Sequence, residues 1–444
     1  MITGIFGVVS RHNCVDDLFQ GACYAEHREE SMSGMATYDG RSFSSDVHHG
    51  RMRDRFRNER RNFCGYFGLA ACSSDGQPVV ELGPEGRFFT TFDGNLVDNQ
   101  AITQGVLRNC PSGLSDSELL SRIVSRAAST QSGIADLSMM MRKYASGCPS
   151  GGDYAVAMLD RQGITAARGW GRKPLIIGKK NSSYAVASES TSFINTGFEI
   201  ERDVRPGEIV RITPDGYDTI EELDLQPIKY GTFEWIYTAF PASVIDGIPV
   251  AKVREEIGRS LARKAMKRGI EADYVVPIPD SGKFHGMGVG RAFAQEFGLQ
   301  TPPIYAEAFV KYPGSGRSFL PKTQEQRDAV ATFKLVPVKY FIEGKRLILT
   351  DDSIVRGTQL KNRVQILVEN GAESLDAVIA CPPLMHACPY GKTTKKDDDC
   401  IAAQKRLEAI REELSLRNLI YASIEDIEQA IGLEKNMLCT TCWE

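Results

Sequence analysis

The run Leu347–Thr358, Leu-Ile-Leu-Thr-Asp-Asp-Ser-Ile-Val-Arg-Gly-Thr, restricts this chain more than any other segment. An apolar, β-rich stretch leads into two carboxylates and then a short loop of hydroxyls, one Arg and one Gly. From Thr358 the spacing turns helical, with Leu360, Val364, Leu367 and Val368 on one face and Gly371 as a stop. A buried strand feeding a loop and a helix is the unit of a parallel α/β sheet, which binds ligands at the carboxyl ends of its strands. The free N–H groups of a helix start hold an anion, and Ser353 and Thr358 add hydroxyl donors. Asp351 and Asp352 suit the vicinal hydroxyls of a ribose, directly or through Mg²⁺. A sugar phosphate uses every part. A solvated acidic turn would explain a bare Asp-Asp pair, but not the whole ordered run.

At 444 residues the chain exceeds one ordinary core, which predicts two domains. Up to about residue 230 it shows short segments such as Gly4 to Val9, Phe88 to Thr91 and Tyr154 to Leu159, split by Gly, Asp and Ser, a sheet-rich pattern. Beyond Pro227 helices and strands alternate: Val253 to Lys267 helical, Tyr274 to Ile278 strand, Gly288 to Phe297 helical, Arg346 to Thr350 strand, Leu360 to Glu369 helical, Leu375 to Ala380 strand. That is βαβ grammar and predicts a parallel sheet. Lys392 to Asp399 reads as a solvated loop, and Ser423 to Asp426 as a capping-box start to a last helix. The net charge of −4, with no basic block, argues against a nucleic-acid groove. No apolar run approaches the ~20 residues of a membrane span, and no basic-then-apolar leader is seen, so a cytoplasmic protein is expected.

The Asp351–Thr358 run is similar to the 5-phosphoribosyl-1-pyrophosphate (PRPP) signature of type I phosphoribosyltransferases, in the version of the glutamine PRPP amidotransferases. Val275 to Gly282 resembles that family's pyrophosphate-contacting loop, and Lys311 to Phe319, ending Gly316-Arg317-Ser318-Phe319, its mobile loop. Gln324 to Arg327 and Gly344 to Arg346 also match, so the resemblance extends over nearly the whole chain. It implies an α+β, N-terminal-nucleophile (Ntn) hydrolase-like domain of αββα type over residues 1–230, and an α/β phosphoribosyltransferase domain with a parallel sheet over 231–444. The PRPP site would comprise Asp280, Ser281, Gly282, Ser353, Ile354, Val355, Arg356, Gly357 and Thr358, with Asp351 and Asp352 on the ribose or Mg²⁺ and Lys311 and Arg317 toward the pyrophosphate. The resemblance also implies nucleotide inhibitors and a homodimer or homotetramer.

In that family the first domain releases ammonia from glutamine, using an N-terminal Cys before Gly-Ile-Phe-Gly. This chain has Thr3-Gly4-Ile5-Phe6-Gly7, and Met1 and Ile2 precede Thr3, so its amine is not free to act as base. Other scaffold pieces persist: His27-Arg28, Asp93 to Leu96, Asp116 to Glu118, Lys173 to Leu175 and Ser188 to Ser190. The carboxylate-binding Arg is replaced by Ala71, and the oxyanion-hole Asn by Asp93. Loss of one oxyanion donor costs about 2.7–4 kcal/mol, and a repelling carboxylate costs more. Arg28-Glu29-Glu30 and Arg168-Gly169-Trp170 depart as well. The expectation is a dead glutaminase; a Thr3 nucleophile exposed by removal of two residues is the alternative.

Eleven cysteines without a secretory leader read as metal ligands or buried hydrophobes. Cys381 and Cys388 lie on one segment, and Cys439-Thr440-Thr441-Cys442 forms a C-x-x-C pair. In the Bacillus-like branch of the family, [4Fe-4S] ligands sit at positions matching Cys388, Cys439 and Cys442. Its fourth falls on Gly231, for which Cys381 is the substitute. Zinc and no metal are the alternatives. The remaining seven cysteines have no ligand spacing.

Three readings follow: a transferase that displaces pyrophosphate from PRPP with ammonia, one that uses another amine or nucleophile, and a noncatalytic PRPP- or nucleotide-binding regulator. The retained loops favour the first two.

Overall fold

Strand Gly4–Val9 is buried at all six residues, because its sheet is covered on both faces. Ile5 and Val9 enter a core shared with Ala155, Leu159 and Ile164 of a second sheet. Phe6 and Val8 point the other way, onto Leu18 and Ala22 of helix Val15–Ala25 and Phe56 of helix Met52–Glu59. Period-2 facing therefore appears as a continuous apolar run and not as an apolar–polar alternation. In this computed structural model, which describes residues 2–106, 113–127, 129–143, 152–312, 335–391, 394 and 396–444, the first sheet has seven antiparallel strands with Gly4–Val9 at its centre. The second has six, including Gly86–Leu96, Gly152–Asp160 and Gly163–Arg168. Its outer face carries Phe92, Tyr154 and Met158 against Leu119, Ile123 and Leu137 of helices Asp116–Arg126 and Thr130–Lys143. The result is the expected helix–sheet–sheet–helix sandwich.

From Tyr274 the chain builds a five-stranded sheet in the order Ile304–Tyr305, Tyr274–Pro277, Arg346–Asp351, Ser374–Ile379, Asn418–Tyr421, with every pairing parallel. In chain order this is 2-1-3-4-5, so the winding reverses between Tyr274–Pro277 and Arg346–Asp351. The crevice for a ligand opens at that switch point. Ser423 caps helix Ile424–Ile431 as the capping box requires, its Oγ accepting from the Asp426 amide and its own amide donating to Asp426 Oδ2. Among the described residues no helix is long and apolar enough to cross a membrane.

Two expectations are corrected. Val368 lies half exposed, and only Leu360, Val364 and Leu367 of helix Thr358–Glu369 are buried. The helix expected from Gly288 starts at Gly282 and runs to Glu296. Its glycines weaken helix propensity but answer to packing. A Cβ on Gly282 would come within 2.1 Å of the Thr350 carbonyl oxygen, and one on Gly288 within 2.0 Å of that of Glu255. Facing Gly288 is helix Val250–Lys267, where a Cβ on Gly258 would stand 2.1 Å from the His285 carbonyl oxygen. The two helices thus meet backbone to backbone. Gly258→Ala would gain about 1 kcal/mol of helix propensity but overpack a backbone contact at a cost of about 1–3 kcal/mol. The expected net result is a lower midpoint of urea unfolding, read by circular dichroism.

Candidate active site

The two loops at the switch point face each other. Strand Tyr274–Pro277 ends in Ile278-Pro279-Asp280-Ser281, and strand Arg346–Asp351 in Asp352-Ser353-Ile354-Val355-Arg356-Gly357. Ser281 Oγ donates to Asp351 Oδ1 across 3.1 Å, the Asp352 amide to the same oxygen across 3.0 Å, and Ser353 Oγ to Asp352 Oδ2 across 2.6 Å. Gly357 takes a φ of 79°, the left-handed turn that lets helix Thr358–Glu369 begin directly over the loop. Its first amides have no intrahelical acceptor and supply an anion cradle. Burial and the adjacent Asp352 push the Asp351 carboxyl well up, which marks a pair that awaits a cation or hydroxyl donors. Lys311 pairs with Asp280, Lys283 lies 3.0 Å from Glu307, and Arg356 donates to Asp399 across 2.6 Å. Cations and counter-carboxylates thus line the mouth. Arg317 and Gln324 to Arg327 lie outside the described residues, as do Lys392, Thr393 and Lys395 of the loop expected before Asp399.

Thr3 and Asp93 lie in a buried ionic cluster. Thr3 is fully buried; its amide donates to Asp93 Oδ1 at 3.1 Å, and its carbonyl accepts from Arg28 Nε at 3.2 Å and Ser188 Oγ at 3.3 Å. Arg28 reaches Asp93 Oδ2 at 2.9 Å, Glu189 Oε1 at 2.6 Å and Glu234 at 3.1 Å, and Lys173 Nζ lies 3.2 Å from Asp93. Burial opposes ionisation of Asp93, but Lys173 and Arg28 outweigh it and hold it below the ordinary carboxylate range. With both oxygens bound to donors, Asp93 cannot serve an oxyanion. A Thr3 amine freed by processing would stand within reach of this carboxylate. Ala71 sits buried in the sheet beside Ile5, with no cation to offer.

Glu189 is likewise held down, to about 2: burial raises it, and the hydrogen bond from His27 together with Arg28 overcomes that. A carboxylate lowered in the folded state adds stability above its ordinary value and loses it as pH falls through the folded one. Acid unfolding is therefore expected to steepen between about pH 4.5 and 2. Thermal melts across that range should show a shallower loss in Glu189→Gln than in wild type.

The cysteine group forms where the C-terminal tail returns. Met385 and His386 amides donate to the Cys442 carbonyl, and the Cys439 amide to that of Tyr230. Burial, then Cys388, Cys439 and Cys400, raise the Cys442 thiol, while burial, Asp352 and Cys442 raise that of Cys381. Four thiolates on one zinc ion at 2.3 Å stand about 3.8 Å apart. Among the described residues no three thiols lie within 4.8 Å of one another, so the group does not fit one zinc. Buried Tyr421 Oη and Trp443 Nε1 have no hydrogen-bond partner, which suits acceptor sulfurs beside them. A Cβ on Gly231 would fall 2.3 Å from the Arg172 carbonyl oxygen, and Arg172 Nε donates to Cys439 Sγ at 3.3 Å. No side chain fits at the family's fourth ligand position. Cys400, which has no ligand spacing in the sequence, is buried in the same core.

Sequence reasoning also passed over Arg254 and Tyr237. Arg254 sits in an amphipathic helix, yet its Nε and Nη2 donate to the Trp235 and Ala239 carbonyls at 2.8 and 2.7 Å, and burial lowers it to about 10. No local pattern marks it, because its acceptors belong to a separate segment.

The sandwich joined to a parallel sheet with a phosphate cradle at its switch point defines an amidotransferase-type scaffold fused to a type I phosphoribosyltransferase. No protein-family model matches the chain. It is 31% identical to an amidophosphoribosyltransferase of Methanocaldococcus jannaschii, over 99% of this chain and 96% of that protein, and 29% identical to that of Bacillus subtilis, over 97% and 89%. The solved structure of glutamine PRPP amidotransferase from B. subtilis complexed with ADP and GMP superposes with a TM-score of 0.88 at 27% identity, covering 99% of this chain and 96% of that one. The chain belongs to the amidophosphoribosyltransferase family.

Proposed function

We propose that the protein displaces pyrophosphate from PRPP with ammonia it does not make itself, giving 5-phosphoribosylamine, as a cytoplasmic enzyme of purine biosynthesis. The observation that carries this is Asp93, standing where the family has its oxyanion-hole Asn and held there as a carboxylate by Arg28 and Lys173, beside a retained Asp351–Thr358 run. Residues 1–230 form the domain without glutaminase activity and 231–444 the transferase.

In the reaction a nitrogen lone pair attacks C1 of the ribose, the C1–O bond to pyrophosphate breaks, and the new amine loses a proton. Amides of Ser353 to Thr358 hold the 5′-phosphate, and Asp351 and Asp352 accept the ribose hydroxyls, whose hydrogen bonds strengthen as positive charge grows on the ring. The Asp280–Gly282 loop meets the pyrophosphate, with Lys311 leaving Asp280 to join it and Arg317 as the second candidate cation for that group. The adjacent Asp351 and Asp352 carboxylates would suit Mg²⁺, which when bound would neutralise pyrophosphate charge. The cradle that holds a 5′-phosphate also admits nucleotide inhibitors, and a homodimer or homotetramer is the proposed assembly. Another amine in place of ammonia is the second reading, since a first domain without glutaminase activity delivers no nucleophile of its own. Pyrophosphate release from PRPP with ammonium, glutamine or a panel of amines tests the proposal.

Cys388, Cys439 and Cys442 with Cys381 are the proposed holders of a [4Fe-4S] cluster that would staple the tail to the transferase sheet. Iron and sulfide in anaerobically purified protein should fall by more than half in Cys439→Ser and Cys381→Ser and persist in Cys400→Ser. Retention in Cys381→Ser with loss in Cys400→Ser would reassign the fourth ligand.

A further inference from the structure

Strand Phe43–His49 is an edge strand of the seven-stranded sheet, and helix Met52–Glu59 follows it in the chain. Period 2 along the strand sets Asp46 and His48 on one face, and the helical repeat sets Glu59 on the same side as Phe56, three residues before it. The His48 ring packs on that Phe56, with centroids 5.2 Å apart, which brings Glu59 over the strand. The three side chains converge there. His48 Nε2 lies 2.9 Å from Glu59 Oε2 and 3.5 Å from Asp46 Oδ2, and one ligand atom from each of the three lies within 4.8 Å of the other two.

Neither short contact is a hydrogen bond: His48 Nε2 is shut off from solvent and has no hydrogen-bond partner among the described residues. The two carboxylates are also short of positive charge, although arginines are their neighbours in sequence. Arg51 pairs with Asp54, Arg53 with Glu26 and Arg60 with Asp16, while Arg55 donates to the His49 carbonyl. Among the described residues no Lys or Arg forms an ion pair with Asp46 or Glu59. A zinc ion bound at about 2.0–2.2 Å by each ligand sets their atoms about 3.4 Å apart in a tetrahedron and about 3.0 Å apart in an octahedron. The two contacts of His48 stand at those separations, which the cysteine thiols do not.

We propose that Asp46, His48 and Glu59 form a divalent-cation site of the zinc class, which clips helix Met52–Glu59 to the edge strand. One imidazole and two carboxylates make three protein ligands and leave a position for water. The imidazole selects against Mg²⁺ and Ca²⁺, which take oxygen donors. All three side chains are partly exposed, so the ion has a way in. The site is independent of the PRPP cradle and of the cysteine group.

The test is a titration of the chelator-dialysed full chain with Co²⁺, followed by Zn²⁺. Cobalt held here gives a visible spectrum without the thiolate charge-transfer band that cysteine ligands add, so the two kinds of site are told apart in one experiment. One equivalent should bind in this form, Zn²⁺ should displace it, and excess Mg²⁺ should not. His48→Ala and Glu59→Gln should each weaken it by at least about tenfold, since loss of even an outer-shell partner costs about 10–100-fold. Asp46→Asn, which leaves the packing of His48 on Phe56 in place, should do the same, and Cys439→Ser should leave this signal unchanged. If the wild-type chain shows no cobalt spectrum free of the thiolate band, the three groups are an ion trio only and the inference falls. It falls equally if Asp46→Asn and Glu59→Gln, folded by circular dichroism, bind within about twofold of wild type.

Discussion

Asp352→Asn is expected to lower kcat/KM for PRPP-dependent pyrophosphate release on the order of 10²–10³-fold, the size of effect seen when one preorganised charge partner of a transition state is removed. The amide keeps the shape of the carboxylate and its bond from Ser353 Oγ, so folding should survive. It should even improve slightly, because neighbouring Asp352 is one of the causes that raise Asp351, and neutralising it relieves like-charge repulsion in a buried pair. The loss would come from the ribose ring, which carries positive charge only in the transition state. Part of it should therefore appear in kcat, not in KM alone. A loss below tenfold, with unaltered thermal stability, would remove the Asp352 carboxylate from the mechanism.

Ammonium should support pyrophosphate release and glutamine should not. The rate with ammonium should rise with pH as the free amine fraction grows. The stronger form of the test removes Met1 and Ile2 and installs Thr3→Cys. Glutamine should remain inert, because Asp93 still stands in place of the oxyanion donor and Ala71 offers no cation to the substrate carboxylate. Only with Asp93→Asn and Ala71→Arg added are the missing parts present, and the oxyanion donor alone accounts for about 2.7–4 kcal/mol. Release with glutamine by the wild-type chain at a rate near that with ammonium would overturn the proposal of an inactive first domain.

The cradle was legible because every part of it is local. Strand Arg346–Asp351, the loop and helix Thr358–Glu369 are contiguous, and apolar period, Gly357 and hydroxyls report on one another within a dozen residues. The capping box at Ser423 was legible for the same reason. The ionic cluster at Asp93 was half legible. Asp93 and Ala71 stood out as departures from the family pattern, and Lys173 and Glu189 as parts of retained segments, but that these and Glu234 gather around Arg28 depends on contacts that span up to 206 positions. Glycines misled in the other direction. Gly282 and Gly286 argue against a helix by propensity, so it was expected only from Gly288, yet it starts at Gly282, where Thr350 leaves room for nothing larger than glycine. Tertiary crowding, invisible in a single sequence, decided against the local preference.

The glycine contact between helices Val250–Lys267 and Gly282–Glu296 has a mechanical side. The first of these helices follows the Glu234–Ser243 segment after the short hairpin Val244–Pro249, and the second begins at the Asp280–Gly282 loop. With Gly258 and Gly288 set against carbonyl oxygens and no compressible side chain between, the pair works as a stiff lever. The distance between Arg254 on the first helix and His285 on the second, which hold the Trp235, Ala239 and Ile236 carbonyls, is thereby set backbone to backbone.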